Sequence, residues 1–277
     1  MSNSTPATQT KSVLGSDGVK LEYDVVGSGE PLVLLHGIFT GRAIFSRQHE
    51  LADRWRLILP SARAHDGTAG RLPPEYGIAT SELDDLLAVL DAEGLEHINL
   101  IGHSSGGVLA FAFARRFPER VTRLILIEPT LIRLLHAPER DGICGEFGGL
   151  ADIAERQGDL VGMSSTMAWL GGDGWRNLDE AKKSARLDAM MPLQHLLVPH
   201  MRALVDFAVT EDEVRALRMP TLLIYGGASY PFEFQLAARF TEIRPDWHQV
   251  LVDGAGHNCY REQPKVVNPA IRSFLAQ

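Results

Sequence analysis

The chain has 277 residues, 45% of them hydrophobic and 22% charged, which suits a globular α/β domain with room for one insertion. Its net charge of −8, with no basic cluster, argues against nucleic acid or an anionic membrane as partner. No stretch approaches the run of roughly 18 apolar residues that a membrane helix needs. The two cysteines, Cys144 and Cys259, form no disulfide framework and no zinc-type spacing, so neither a metal nor another cofactor is implied. Residues 1–10 are rich in Ser, Thr and Gln and lack the charged start and apolar core of a signal peptide. They read as a disordered tail, and the expected compartment is the cytoplasm. The sequence leaves self-association open.

Lys11–Gly15 and Val19–Val26 flank Asp17-Gly18 as a hairpin. Pro31–Leu35 and Arg56–Pro60 are continuous apolar runs, as buried parallel strands are. Residues 41–54 look helical, and residues 63–76 read as a Gly/Pro/Arg loop. Thr80–Glu93 is expected to be a helix capped by Thr80, with Leu83, Leu86, Leu87 and Leu90 on its apolar face. A strand at 97–101, a helix at 105–117 and a strand at Val121–Ile127 follow. Residues 131–215 carry no clear strand and read as helices broken by Gly-rich pieces such as Gly171–Gly174. Alternation resumes with strand Thr221–Tyr225, helix 231–243, strand Gln249–Val252 and helix Pro264–Leu275. The fold class is α/β: a mostly parallel sheet flanked by helices, with a helical insertion after the strand 121–127.

Gly102-His103-Ser104-Ser105-Gly106 sits between a strand and a helix. A G-x-S-x-G nucleophile elbow needs that context, because small flanking residues let the turn close and leave the serine projecting into a cleft. Three further motifs lie in order along the chain: His36-Gly37 after the strand 31–35, Pro220–Gly226 as a late strand, and Gly254-Ala255-Gly256-His257 after the last strand.

Together these four features resemble the α/β-hydrolase fold family from about residue 12 to 276. The resemblance implies a core at 11–130 and 216–277 and a cap at 131–215 over the active site, inserted after the sixth strand in the family's count. It implies Ser104 as nucleophile and His257 as the base that a serine hydroxyl requires. The backbone N–H groups of Ser105 and Ile38 would form the oxyanion hole, with Gly37 as fallback for the second donor. His36, Arg63 and His65 read as bracing, and His103 is expected to point away from the cleft.

The acid departs from the family's usual pattern. An Asp commonly follows the late strand as Gly-x-x-Asp, but here that frame reads Gly226-Gly227-Ala228-Ser229. Glu128, at the end of strand 121–127, is the preferred acid, in a layout similar to zearalenone lactonases and haloalkane dehalogenases. Asp253 and Glu233 are the alternatives. An aspartate nucleophile, which the dehalogenases need, is absent at position 104. Gly37, Met163 and Trp169 are the candidate substrate-binding residues, and the insertion's methionines suit an adaptable apolar pocket.

The expected activity is serine hydrolysis of a hydrophobic carboxylic ester or lactone, a small molecule. The alternatives are a carbon–carbon bond hydrolase of the same fold, which would want an arginine in the cleft, and a receptor-like binding protein with a residual triad. An acyltransferase or perhydrolase is a further one.

Overall fold

The computed structural model describes residues 7–66, 68, 72 and 76–277 and joins eight strands in one sheet. They are β1 (Thr8–Leu14), β2 (Lys20–Val26), β3 (Glu30–Leu35), β4 (Trp55–Pro60), β5 (Ile98–His103), β6 (Val121–Ile127), β7 (Thr221–Gly226) and β8 (His248–Val252). Their order is β1-β2-β4-β3-β5-β6-β7-β8. β2 runs antiparallel to both β1 and β4, and the neighbours from β4 to β8 are parallel. The first strand begins at Thr8, inside the expected tail, because the hairpin register extends from Leu14↔Lys20 back to Thr8↔Val26. Residues 1–6 of that tail, and residues 67, 69–71 and 73–75 of the expected 63–76 loop, lie outside the described residues.

Side chains alternate between the two faces of a strand, so a strand covered on both sides must be apolar throughout. Val33, Leu35, Leu100, Leu124, Leu126 and Leu223 belong to the core on one face. Leu32, Leu34, Ile101, Ile125, Ile127, Leu222 and Ile224 belong to the core on the other. Helices α1 (Leu83–Ala92) and α2 (Ser105–Arg116) cover the first face with Leu86, Leu90, Phe111 and Phe113. The second face packs against the 3₁₀ segment Arg42–Asp53 and the C-terminal helix Pro264–Leu275 through Phe45, Leu51, Ile271 and Phe274.

Thr80 caps no helix. Its hydroxyl donates to the Gly77 carbonyl inside a π-type turn, Ile78–Glu82, and α1 starts only at Leu83. The wider turn accompanies an inward Glu82, 8% exposed, whose Oε1 accepts from the Tyr76 hydroxyl.

Between β6 and β7 the chain forms a 3₁₀ turn at Ile132–Leu134 and helices α3 (Glu139–Gln157), α4 (Asp159–Arg176), α5 (Glu180–Met190), α6 (Leu197–Asp206) and α7 (Glu211–Ala216). The helical insertion is thus present, but α4 runs straight through 171–174, where the glycines were expected to break it. A helical glycine costs only about 1 kcal/mol, which packing at the helix ends can offset. Helix α8 (Pro231–Ile243) follows β7, and a short α9 (Cys259–Glu262) precedes α10 (Pro264–Leu275). Among the described residues no helix is long and apolar enough to cross a membrane.

Candidate active site

The parallel strands β5, β6, β7 and β8 end at one edge of the sheet, where ligands bind in open α/β folds. Ser104 follows β5 with φ 56° and ψ −122°, a strained conformation that holds the side chain up and out of the turn. Gly106 makes this turn feasible: a Cβ there would sit 2.4 Å from the Leu35 carbonyl oxygen and 2.5 Å from that of His36. Gly37 is equally confined, with a hypothetical Cβ 3.0 Å from the Cβ of Ser104. The β3 loop and the elbow therefore touch backbone to backbone, which places Ile38 beside Ser104 on one cavity wall.

Glu128 follows β6 and is fully buried, with φ 44°. Its backbone N–H donates to the Ile224 carbonyl at 3.0 Å, carrying the β6–β7 ladder one step further. Oε1 accepts from the Gly226 N–H at 2.7 Å, and Oε2 accepts from the Ser229 hydroxyl at 2.6 Å. Oε2 also accepts from Nδ1 of His257, in a short contact. Three donors thus converge on one buried carboxylate, as burial of a charge demands. Ser229, at the position where the family commonly has an acid, contributes one of them.

The His257 loop rests on His103. That ring donates from Nε2 to the His257 carbonyl at 3.0 Å and accepts at Nδ1 from the Tyr260 hydroxyl at 3.3 Å. Burial, followed by the nearby His257, keeps His103 well below the usual imidazole range and so neutral. His36 bridges two loops, donating from Nδ1 to the Gly37 carbonyl at 2.8 Å and accepting at Nε2 from the Ala62 N–H at 3.0 Å. Arg63 is tied to Asp85 and Asp17, and His65 to the Arg63 carbonyl, away from Ser104.

Thr130 was not singled out in the sequence. Its hydroxyl is 3.3 Å from Ser104 Oγ and is the partner that Oγ has here, in place of His257. Its N–H also reaches the Ser104 carbonyl at 3.3 Å. Pro129-Thr130 after the strand carried no motif by which to find it.

The alternative acids separate clearly. Asp253 is exposed, and among the described residues only its backbone carbonyl is engaged, by Gln263. Glu233, in the first turn of α8, is 2% exposed, with Oε1 4.0 Å from Nδ1 of His257. Burial, then the charge of Glu128, pushes its carboxyl well above the usual range.

The cavity over Ser104 is bounded by Ile38, Thr130, Phe147, Trp169, Tyr230 and His257, with Leu170, Met201, Leu204 and Phe232 behind them. Trp169 stacks on Tyr230 with centroids 5.1 Å apart, and Tyr230 on Phe232 at 5.7 Å. Met163, expected to bind substrate, is fully buried in the packing of the inserted helices and does not border this cavity; Met201 does. Trp169, further along α4, instead packs against Phe147 and stacks on Tyr230 at the cavity wall.

A family profile described as the alpha/beta hydrolase fold matches residues 30–141. A 2-hydroxy-6-oxo-2,4-heptadienoate hydrolase of Pseudomonas putida is 26% identical over 270 residues, covering 94% of each chain. A carboxylesterase of Bacillus subtilis is 28% identical over 190 residues, 68% of this chain and 60% of its own. Among solved structures, a thermophilic esterase from Thermogutta terrifontis superimposes with a TM-score of 0.76 at 26% identity, covering 97% of this chain and 98% of its own. With its sheet order, its serine at a positive-φ turn and these likenesses, the chain has the α/β-hydrolase fold.

Proposed function

We propose that this protein is a serine hydrolase that cleaves a carboxylic ester or lactone of an apolar substrate through an acyl-enzyme. The observation that carries the reading is the hydrogen bond from His257 Nδ1 to the buried Glu128, beside a serine raised on a strained turn. Glu128 fixes the tautomer in which Nε2 of His257 is free to accept a proton. Ser104 Oγ attacks the carbonyl carbon, and its proton passes to Nε2. The carbonyl oxygen becomes an oxyanion facing the N–H groups of Ile38 and Ser105. Collapse of the tetrahedral adduct breaks the bond to the leaving oxygen, which takes the proton from His257. Water then repeats the sequence on the acyl-enzyme and restores Ser104.

Attack requires the Ser104 hydroxyl to turn from Thr130 toward His257. The cavity above it measures about 20 Å³, room for about one water molecule. The insertion thus serves as a cap that moves to admit substrate. Among the described residues that border the cavity there is no Lys or Arg, and eight of the eleven are apolar or aromatic. That favours an uncharged ester over the anionic dienoate implied by the name of the Pseudomonas relative.

The test is release of p-nitrophenol from an acyl-chain series, alongside lactones and a dienoic keto-acid, with Ser104→Ala run in parallel. Ester turnover that disappears in the variant is the expected result, and the chain-length optimum sizes the opened pocket. Turnover of the keto-acid with none of any ester or lactone would overturn the reading.

A further inference from the structure

Two carboxyl groups, not one, stand behind His257. Glu128 Oε2 bonds Nδ1, and Glu233 Oε1 lies 4.0 Å from the same nitrogen. A ligand atom from each of the three side chains lies within 4.8 Å of the others. Beyond that 4.0 Å approach, the buried Oε1 of Glu233 has no hydrogen-bond partner among the described residues. Nor is Glu233 a helix-surface residue that drifted inward, because Pro231 at the start of α8 and the Glu233 N–H to the Tyr230 carbonyl, at 3.0 Å, fix its place. A buried polar atom without a partner costs on the order of 1–3 kcal/mol, so an unbonded carboxyl at the back of the site calls for a purpose.

We infer that Glu233 is a second positioning acid, kept in its neutral form by Glu128 and able to take over the orientation of His257 when the Glu128 charge is removed. The inference rests on Ser104 and His257 acting as nucleophile and base. Two carboxylates this close cannot both ionise in a dry site, so one holds the proton. Glu128 has three donors and Glu233 has none of them, so the charge belongs on Glu128. The titratable groups facing Glu233 are Glu128 after β6, His257 after β8, Tyr230 before α8 and Cys259 at the start of α9. None of these brings a resident positive charge except the imidazolium that forms on His257 during the reaction. Without Glu128, the repulsion that favours the neutral acid is gone, and that imidazolium draws the Glu233 carboxylate to Nδ1.

The experiment is a double-mutant cycle of Glu128→Ala and Glu233→Gln, read by the rate at which a fluorophosphonate labels Ser104. Oγ forms the bond to phosphorus, fluoride leaves, and His257 takes the hydroxyl proton, so no substrate need be known. Thermal melts check that each variant folds; if Glu128→Ala does not, Glu128→Ser replaces it, keeping a polar group near the Gly226 N–H. Glu233→Gln is expected to slow labelling at least about tenfold more in the Glu128→Ala background than in the native one. The acid limb of the labelling rate should also lie at higher pH in Glu128→Ala than in the double variant, by about one pH unit, because a carboxylate beside an imidazole raises its proton affinity. Equal effects of Glu233→Gln in both backgrounds, with coincident acid limbs, would overturn the inference. Absence of Ser104-dependent label in the native protein would instead overturn the nucleophile–base reading on which it rests.

Discussion

Ser229 occupies the position where an aspartate was looked for, and it turns its hydroxyl to Glu128 Oε2 at 2.6 Å. On the proposed reading the acid lies one strand over, on Glu128, and Ser229 in the usual acid position donates a hydrogen bond to it. Restoring the aspartate should do harm. Ser229→Asp places a second carboxylate against a fully buried one, and like charges at such a distance are strongly unfavourable. Its kcat/KM on an active ester is expected to fall by roughly 10²-fold or more, since about 2.7 kcal/mol of lost transition-state stabilisation suffices. Combining it with Glu128→Ala, which clears the first carboxylate, should recover activity above either single variant. A Ser229→Asp protein as active as the native one would show that Ser229 does not face the working acid.

The sequence made Ser104, His257 and Glu128 legible for different reasons. Ser104 lies in a motif whose glycines are demanded by close contacts, Gly106 with the Leu35 and His36 carbonyls and Gly102 with the Gly106 carbonyl and Ala110. His257 ends a Gly-x-Gly-His loop at the close of a strand. Glu128 stands out through a layout similar to families with the acid after that strand, once Ser229 is read in the acid's usual frame. Thr130 was invisible because its contacts, side chain and backbone, are both with Ser104 across the strand edge, which leaves no periodicity. Glu233 stands among the alternative acids, but its standing beside Glu128 rather than in place of it depends on the phase of α8, which the sequence does not show.

At the scale of elements, two of the ties between the insertion and the core involve tyrosines, Tyr230 and Tyr76. The Tyr230 hydroxyl donates to the Leu170 carbonyl of α4 at 2.5 Å, while its ring stacks on Trp169 and lies 5.1 Å from the His257 ring. On the opposite side, Tyr76 lies between Glu82 and His200 of α6, its hydroxyl 2.9 Å from Nε2. If the cap must move to admit substrate, loosening the first tie changes access more than chemistry. Tyr230→Phe, which deletes only the bond to Leu170, should change KM for bulky esters by several-fold and leave kcat for a short acetate ester within about threefold. A proportional fall in kcat for every ester would show instead that the hydroxyl acts on the reacting groups.

The same scale explains which elements the sequence disclosed. Strands β3 to β7 are buried on both faces, and a parallel strand so covered reads as an unbroken apolar run. The inserted helices were recognisable as helices, but not which residues face Ser104. Their apolar residues serve both the packing of α3 against α4 and the cavity wall, so Met163 and Trp169 looked alike in sequence and part ways in space. The π-type turn at Ile78–Glu82 was missed because a capping threonine and a threonine bonded to Gly77 have the same local sequence.

At the scale of the molecule, three buried histidines beneath the site are held neutral. Burial lowers His36; burial and then the neighbouring His36 lower His65 to about 3; burial and then His257 lower His103 well below the usual range. A folded-state value below the unfolded one means that the unfolded chain binds more protons as pH falls under about 6.5. Stability from these groups is thus complete above that pH and is lost progressively below it. Glu233 and Asp85, raised by burial, pull the other way, while His49, lowered by burial, adds to the three histidines. The urea midpoint should therefore drop between pH 7.5 and pH 5, and His65→Gln should flatten that slope. A midpoint independent of pH across the range would contradict the neutral assignment.

The claim on which everything else depends is that Ser104 and His257 work with Glu128 as their acid. The most direct measurement is kcat/KM for a p-nitrophenyl ester that the native protein turns over, compared with Ser104→Ala and Glu128→Ala, both verified as folded. The account predicts a loss on the order of 10⁴-fold or more for Ser104→Ala and about 10²- to 10⁴-fold for Glu128→Ala. Near-native activity in Glu128→Ala would contradict it, and near-native activity in Ser104→Ala would remove its foundation.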